Sequence, residues 1–249
     1  MNKILELKNI FYSYHSLDGE IQALRDISFS VKKGEFVAIV GPSGCGKSTL
    51  LHLISNMLKP EKGAIIMDSS IKLGYMLQKD ELLEWRSIYK NVLLGLEIQH
   101  MVSPQMMAKA RRMLEKYGLA LFADAKPSEL SGGMRQRAAL IRTLILNPDI
   151  LLLDEPFSAL DYQTRLSVAN DIGQIIKQES KTAILVTHDL SEAVSLANRI
   201  IILTARPATI RQTVDISFDL PNLTPLEKRD RPEFKSYFNL IWKELNVND

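Results

Sequence analysis

The stretch Gly41-Pro42-Ser43-Gly44-Cys45-Gly46-Lys47-Ser48-Thr49 has the residue types and spacing of a phosphate-binding loop. Its glycines let backbone N–H groups curl around a phosphate where a Cβ would collide. Lys47 brings a point charge to the outer phosphates. The Ser48 hydroxyl suits a magnesium ion that bridges two phosphate oxygens. The chain is therefore expected to bind a nucleoside triphosphate. A second group of such residues is Ile150-Leu151-Leu152-Leu153-Asp154-Glu155, an apolar run ending in paired carboxylates. Asp154 suits the magnesium ion, directly or through water, and Glu155 is placed to orient and deprotonate an attacking water. Burying two carboxylates without a cation is expensive, which favours the metal reading.

Other residues join these. Gln78 follows the apolar run Leu73-Gly74-Tyr75-Met76-Leu77. Its carbonyl could bind magnesium or hold a water; an ordinary loop glutamine is the plain alternative. His188 follows Ala183-Ile184-Leu185-Val186 in the same way, one residue on. Parallel strands end at the ligand crevice of a sheet, so Gln78, Asp154 and His188 are expected to face one crevice. Ser131-Gly132-Gly133 reads as an N-cap followed by uncovered first-turn amides, a second anion site, with a plain capped helix as the alternative. Tyr14 offers a face for stacking an adenine or is a half-buried strand aromatic, and the residues alone leave both open. His15, His52 and His100 lack a motif and read as structural or surface residues. Cys45 reads as a small filler.

The elements that must position these groups are legible around them. Phe36-Val37-Ala38-Ile39-Val40 is a short apolar run of the buried parallel type. Leu50, Leu53, Ile54 and Met57 recur at helical spacing after the loop. Upstream, Ile4, Leu5 and Leu7 start one strand, His15 to Glu20 forms a polar turn, and Ile27, Phe29 and Val31 alternate along another. Their short connections predict antiparallel pairing. Lys59-Pro60-Glu61-Lys62-Gly63 stops the loop helix. From about residue 79 to 147 the period is helical, with a methionine-bearing face over Met106, Met107 and Met113 that reads as flexible core. Asp80-Glu81-Leu82-Leu83-Glu84-Trp85-Arg86 opens that block as a candidate docking surface. Asp189 and Glu192 read as a capping-box variant. Ile200-Ile201-Ile202-Leu203 is a last core strand. The charged run Glu227-Lys228-Arg229-Asp230-Arg231 reads as a solvated face, and Phe234, Phe238, Ile241 and Leu245 as a terminal amphipathic helix.

The composition bounds the function. At 249 residues the chain can bury a substantial core, as one large domain or a domain with an inserted lobe. Its hydrophobic content of 46% and charged content of 24% are ordinary globular values. A net charge of +2 argues against a dedicated nucleic-acid binder. No apolar run approaches a membrane span, and the N-terminus lacks a signal-peptide core, so the chain is expected in the cytoplasm. One cysteine excludes an intrachain disulfide.

Taken together and in order, these motifs resemble the ATP-binding subunit of an ABC transporter over nearly the whole chain. The order is the aromatic A-loop at Tyr14, Walker A over 41–49, the Q-loop at Gln78, the signature over 130–136, Walker B over 150–154, Glu155, the D-loop over 158–161 with Asp161, and the H-loop His188. The resemblance implies a P-loop NTPase α/β fold with a parallel-sheet core, an N-terminal antiparallel β subdomain and an inserted α-helical subdomain. It divides the chain into an ATP-binding core over 1–78 and 148–218, a helical subdomain over 79–147 and a tail over 219–249. It implies ATP and Mg2+, and it settles Tyr14 in favour of stacking. It implies a head-to-tail dimer in which Ser131, Gly132, Gly133 and Gln136 of one chain act on the ATP held by Walker A of the other. It assigns Glu155 as base, His188 and Lys47 to the γ-phosphate, and Ser48, Gln78 and Asp154 to the metal. Membrane permease subunits and, through them, a solute-binding protein are the implied partners, at the cytoplasmic face of the membrane. Leu82-Leu83-Glu84-Trp85-Arg86, Asp219-Leu220-Pro221 and Asp230-Arg231-Pro232-Glu233-Phe234 look closest to importers of nitrate, sulfonate or taurine-type solutes. The alternatives are an exporter ATPase and a soluble ABC ATPase acting on nucleic acid or ribosomes.

Overall fold

A computed structural model describes residues 3–16 and 19–246. Along the chain run β1 (Lys3–Ser16), β2 (Gly19–Lys32), β3 (Phe36–Val40), α1 (Lys47–Ile54), β4 (Lys62–Ile66), β5 (Leu73–Met76), α2 (Ile88–Ile98), α3 (Pro104–Lys116) and α4 (Gly132–Leu144). They are followed by β6 (Ile150–Asp154), α5 (Tyr162–Gln178), β7 (Thr182–Val186), α6 (Leu190–Leu196), β8 (Arg199–Leu203), β9 (Ile210–Asp215), α7 (Pro225–Arg229) and α8 (Pro232–Leu245). The chain forms two compact units, Met1–Ile71 with Gly173–Asp249, and Lys72–Ile172. Among the described residues no helix is long and apolar enough to cross a membrane.

In the first unit, β1 pairs antiparallel with β2 and with β4. The register of β1 against β2 shifts several times, so both strands are bulged and run longer than the hydrophobic alternation suggests. The expected turn from His15 to Glu20 is tighter: His15 and Glu20 pair across the strands, and Leu17 and Asp18 lie outside the described residues. β3 lies between β7 and β8 in parallel register, and β9 adds an antiparallel edge beside β8. Every residue of β3 and β7 is buried, as continuous apolar strands covered on both faces must be. The edge strand β9, whose sequence Ile-Arg-Gln-Thr-Val-Asp is largely polar, carries no apolar run and was not expected.

Two local expectations are corrected in this unit. The helix after the phosphate loop ends at Ile54, not near Lys59, because Asn56 takes a left-handed φ of 60°. Met57 is thus outside the helix and 62% exposed. The charged run from Glu227 is not simply solvated: residues 225–229 form α7, capped by a Thr224–Glu227 capping box, and Lys228 is half-buried. In α8 only Ile241 is buried; Phe234 and Phe238 are half-covered and stack in a ladder with Trp242.

In the second unit β5 and β6 pair in parallel, and α2 packs on α3 and α4. Ser87, Ser103 and Ser131 are the N-caps of α2, α3 and α4, each hydroxyl accepting the N–H three residues on. The methionine face of α3 is core at one end only: Met113 is buried, Met106 half-buried and Met107 exposed.

Candidate nucleotide site

In the first unit the loop residues 41–46 leave the end of β3 and enter α1 at Lys47. Gly46 takes a φ of 119°, and a Cβ there would stand 2.9 Å from Leu24 Cδ2. Glycine is therefore needed for both conformation and space, with the backbone drawn close to β2. The Lys47 ammonium donates to the carbonyls of Gly41 at 2.9 Å and Pro42 at 3.0 Å, so the loop curls around its own lysine. Pro42, Ser43, Gly44 and Ser48 are exposed, whereas Cys45 and Thr49 are buried. Burial pushes the Cys45 thiol up from its ordinary range, which fits a filler.

Further side-chain contacts hold this loop and the strand beside it. The Arg206 guanidinium donates to the Gly44 carbonyl, its Nε at 3.0 Å, and so pins the loop from the segment after β8. The Tyr14 hydroxyl lies 2.9 Å from Thr49 Oγ1, and the ring meets Tyr12 edge-on with centroids 5.1 Å apart. Tyr14 is 41% exposed, so a ring face remains open while its hydroxyl is anchored to α1. On the neighbouring strand, Thr187 donates to the buried Glu192 carboxylate at 2.6 Å and accepts the Asp189 N–H at 3.0 Å. Asp189 in turn caps α6 through the N–H groups of Ser191 and Glu192. This network fixes the turn that carries the exposed His188. Because Ile39 and Val186 are partners, β3 and β7 end side by side. The phosphate loop and His188 thus leave the same edge of the sheet, and Tyr14 joins them through α1.

In the second unit, β5 and β6 are paired through Met76 and Leu153, which brings Gln78 and the carboxylates to one edge. Gln78 Nε2 donates to Ser158 Oγ at 3.2 Å, and that hydroxyl donates to the Glu155 carbonyl at 3.0 Å. Asp154 is 7% exposed and accepts from the Tyr75 hydroxyl at 3.2 Å. Burial, and then the Asp154 charge, push the Tyr75 phenol well above its usual range, so it stays a donor. Glu155 is half-buried at a left-handed φ of 45°. Asp161 caps α5: hydrogen bonds from Thr164 hold its carboxyl below the usual range.

At the start of α4, Ser131 is exposed and its hydroxyl accepts the Met134 N–H at 3.4 Å. The two glycines that follow have a reason beyond open amides. A Cβ on Gly132 would stand 2.8 Å from Leu160 Cδ2, and one on Gly133 would stand 2.6 Å from Val168 Cγ2. They let α4 approach the 158–161 segment and α5. Gln136 is buried, and its Oε1 has no hydrogen-bond partner among the described residues, so it does not present an outward contact as Ser131 does.

The segment after Gln78 is held from below. Arg135 Nε donates to Asp80 Oδ2 at 3.1 Å, and Arg142 donates to the carbonyls of Asp80 and Glu81 at 2.6 Å each. The fully buried Asn91 accepts the Leu83 N–H at 2.7 Å and donates to the carbonyls of Leu83, Arg86 and Ser87. Arg86 is engaged by Glu97 at 2.7 Å, and Leu82 is buried. What this scaffold presents is Trp85, 74% exposed.

A phosphate loop and a strand-end histidine in one unit, with a Walker-type carboxylate pair and a serine-glycine helix start in the other, are the parts of one kind of ATPase. The sequence pattern described as ABC transporter matches residues 24–158. This chain belongs to the ABC transporter family. It is an ATP-binding subunit of a transporter and an ATPase. The ABC cassette is 44% identical over 248 residues to the uncharacterized ABC transporter ATP-binding protein YtlC of Bacillus subtilis, covering 97% of this chain and 95% of that one. It is 38% identical over 209 residues to the aliphatic sulfonates import ATP-binding protein SsuB of Bacillus cereus, covering 82% of each. Among solved structures it is similar to the ATP-binding cassette MJ0796, described as dimeric, in a post-hydrolysis state and bound to ADP and phosphate. There the TM-score is 0.72 at 31% identity, over 86% of this chain and 99% of that one. The cassette therefore has the expected α/β P-loop NTPase fold.

Proposed function

We propose that this cassette hydrolyses ATP to drive import of a small solute of the sulfonate, nitrate or taurine kind, as a head-to-tail homodimer at the cytoplasmic face of a membrane permease. The observation that carries the import reading is the similarity to SsuB across 82% of both chains. The dimeric MJ0796 cassette supports the dimer.

The roles follow from the chemistry of the side chains. Backbone N–H groups of residues 41–49 and the Lys47 ammonium hold the β- and γ-phosphates, and the open face of Tyr14 stacks on adenine. Ser48, Gln78 and Asp154 offer oxygen donors that fit magnesium and would hold it, and the ion would neutralise charge on the phosphates. Glu155 takes the proton of the attacking water. His188 donates a hydrogen bond to the γ-phosphate, and Ser131, Gly132 and Gly133 meet the same phosphate on the partner chain. Asp161 orders the segment between these sites. Gln136, being buried, positions the signature helix. Trp85 and the turn beneath it meet the permease, and a solute-binding protein delivers the solute to that permease.

Uptake of labelled hexanesulfonate, nitrate and taurine in cells lacking this chain tests the reading. Restoration of one of these by the wild-type chain and not by Glu155→Gln is expected. Uptake of all three at the parent level without the chain would overturn it.

A further inference from the structure

The first unit contains a cavity of about 510 Å³, lined among others by Phe36, Lys177, Leu196, Ile216, Phe218 and Lys228. A small-molecule site has this size. It opens beside Phe36, the first residue of β3, whereas the phosphate loop follows the last. The two sites are thus separated by a strand of about 15 Å. The cavity is roofed by the tail, which is ordered by its own contacts. Tyr237 donates to the Ser217 carbonyl at 3.1 Å, its ring meets Phe218 edge-on, and the Thr224 box caps α7.

Two lysines from different elements meet at this lining. Lys177 comes from the last turns of α5 and Lys228 from α7. Lys177 donates to the Asn222 amide oxygen at 3.3 Å, and Lys228 lies 5.3 Å from the centre of the Phe218 ring. Among the described residues neither is paired with a carboxylate. Burial, and then the repulsion of Lys177, hold the Lys228 ammonium down to about 8. Like charges gathered beside a partly apolar cavity cost stability until an anion joins them. The lining is apolar at Phe36, Leu196, Ile216 and Phe218 and polar at Gln174, Gln178 and Asn198.

We propose that this cavity is a binding site for a small amphiphilic organic anion, separate from the nucleotide site. Its acidic head, sulfonate or carboxylate, lies between Lys177 and Lys228, and a short apolar body lies against Phe36, Leu196 and Phe218. Residues 218–228 form its roof, so occupancy tightens the tail against α5. The site stands whatever solute the permease carries.

Isothermal titration calorimetry of the whole chain with hexanesulfonate, hexanoate and inorganic sulfate tests it, with ATP affinity as the control for folding. One hexanesulfonate or hexanoate is expected per chain, and the stronger of the two identifies the head group. Lys228→Met should weaken binding about tenfold, the loss of one charge-assisted hydrogen bond. Lys177→Met with Lys228→Met should abolish it while ATP affinity stays at the parent value. Lys228→Arg should retain it, which separates lost charge from lost packing. Sulfate binding as tightly as hexanesulfonate would show a bare ion site and overturn the proposal. Undetectable binding of both organic anions at millimolar concentration, or unchanged binding in the double variant, would also overturn it.

Discussion

Replacing Asn91 by leucine removes a side chain that holds the Trp85 segment without touching the nucleotide site. Asn91 is fully buried and accepts from the Leu83 N–H, while its amide serves the carbonyls of Leu83, Arg86 and Ser87. Leucine has the same branched skeleton, with bulkier methyl ends, and satisfies none of them. An orphaned buried N–H costs about 1–3 kcal/mol. The three carbonyls share two amide protons and belong to half-buried residues, so water can recover part of their loss. The sum is therefore about 2–4 kcal/mol, borne mostly by residues 83–87. Urea unfolding should show that loss in global stability, or a smaller one if the turn opens locally first. Hydrogen exchange distinguishes the two: the Leu83 amide should exchange at least tenfold faster, while β5 and β6 keep their protection. ATP hydrolysis by the isolated cassette should stay near the parent rate, and stimulation by a permease should fall. Parent-like exchange at Leu83 would refute the view that Asn91 holds this turn.

Gly133→Ala should lose about 1–3 kcal/mol of stability, because its Cβ would stand 2.6 Å from the stiff Val168 side chain. Val168→Ala in the same chain should recover part of that loss, and strict additivity in urea titrations would show that the clash is absent. Tyr14→Ala should weaken ATP binding by about 1–3 kcal/mol with the fold retained, and an unchanged affinity by titration would rule out stacking. Cys45 is buried, and burial raises its thiol above the ordinary range, so iodoacetamide at pH 8.5 should modify the folded chain more slowly than the urea-unfolded one. Equal rates by mass spectrometry would contradict this placement.

The chemistry was legible where it is local. The phosphate loop, the paired carboxylates and the Ser131 cap are contiguous residues, and their flanking strands are apolar runs that periodicity alone identifies. What stayed hidden depends on pairs remote in the chain. Arg206 reaches Gly44 and Tyr14 reaches Thr49 across the fold, and no spacing rule announces either contact. Tyr75 reads as one more strand aromatic until β5 is set beside β6. Lys228 sits in a mixed charge run, and only the packing of the tail on α5 turns it inward. Met57 continues a helical period on paper, yet the left-handed Asn56 ends the regular backbone before it. Arg86 looked like a free docking residue but belongs to Glu97. Of the apolar residues in that segment, Trp85 keeps the exposed role its type suggested.

The composite-site claim is tested most directly by size-exclusion chromatography with light scattering on Glu155→Gln, in ATP and magnesium. The amide can still accept a hydrogen bond from water but cannot take its proton, so turnover should fall by at least the ~10²–10⁴-fold of a lost general base. ATP should then persist and hold a stable dimer with two nucleotides per two chains. Ser131→Arg added to the same chain should return it to monomer, since a bulky cation would block the partner's γ-phosphate contact. A Glu155→Gln chain that stays monomeric at high concentration, or still hydrolyses ATP at the parent rate, would contradict the account.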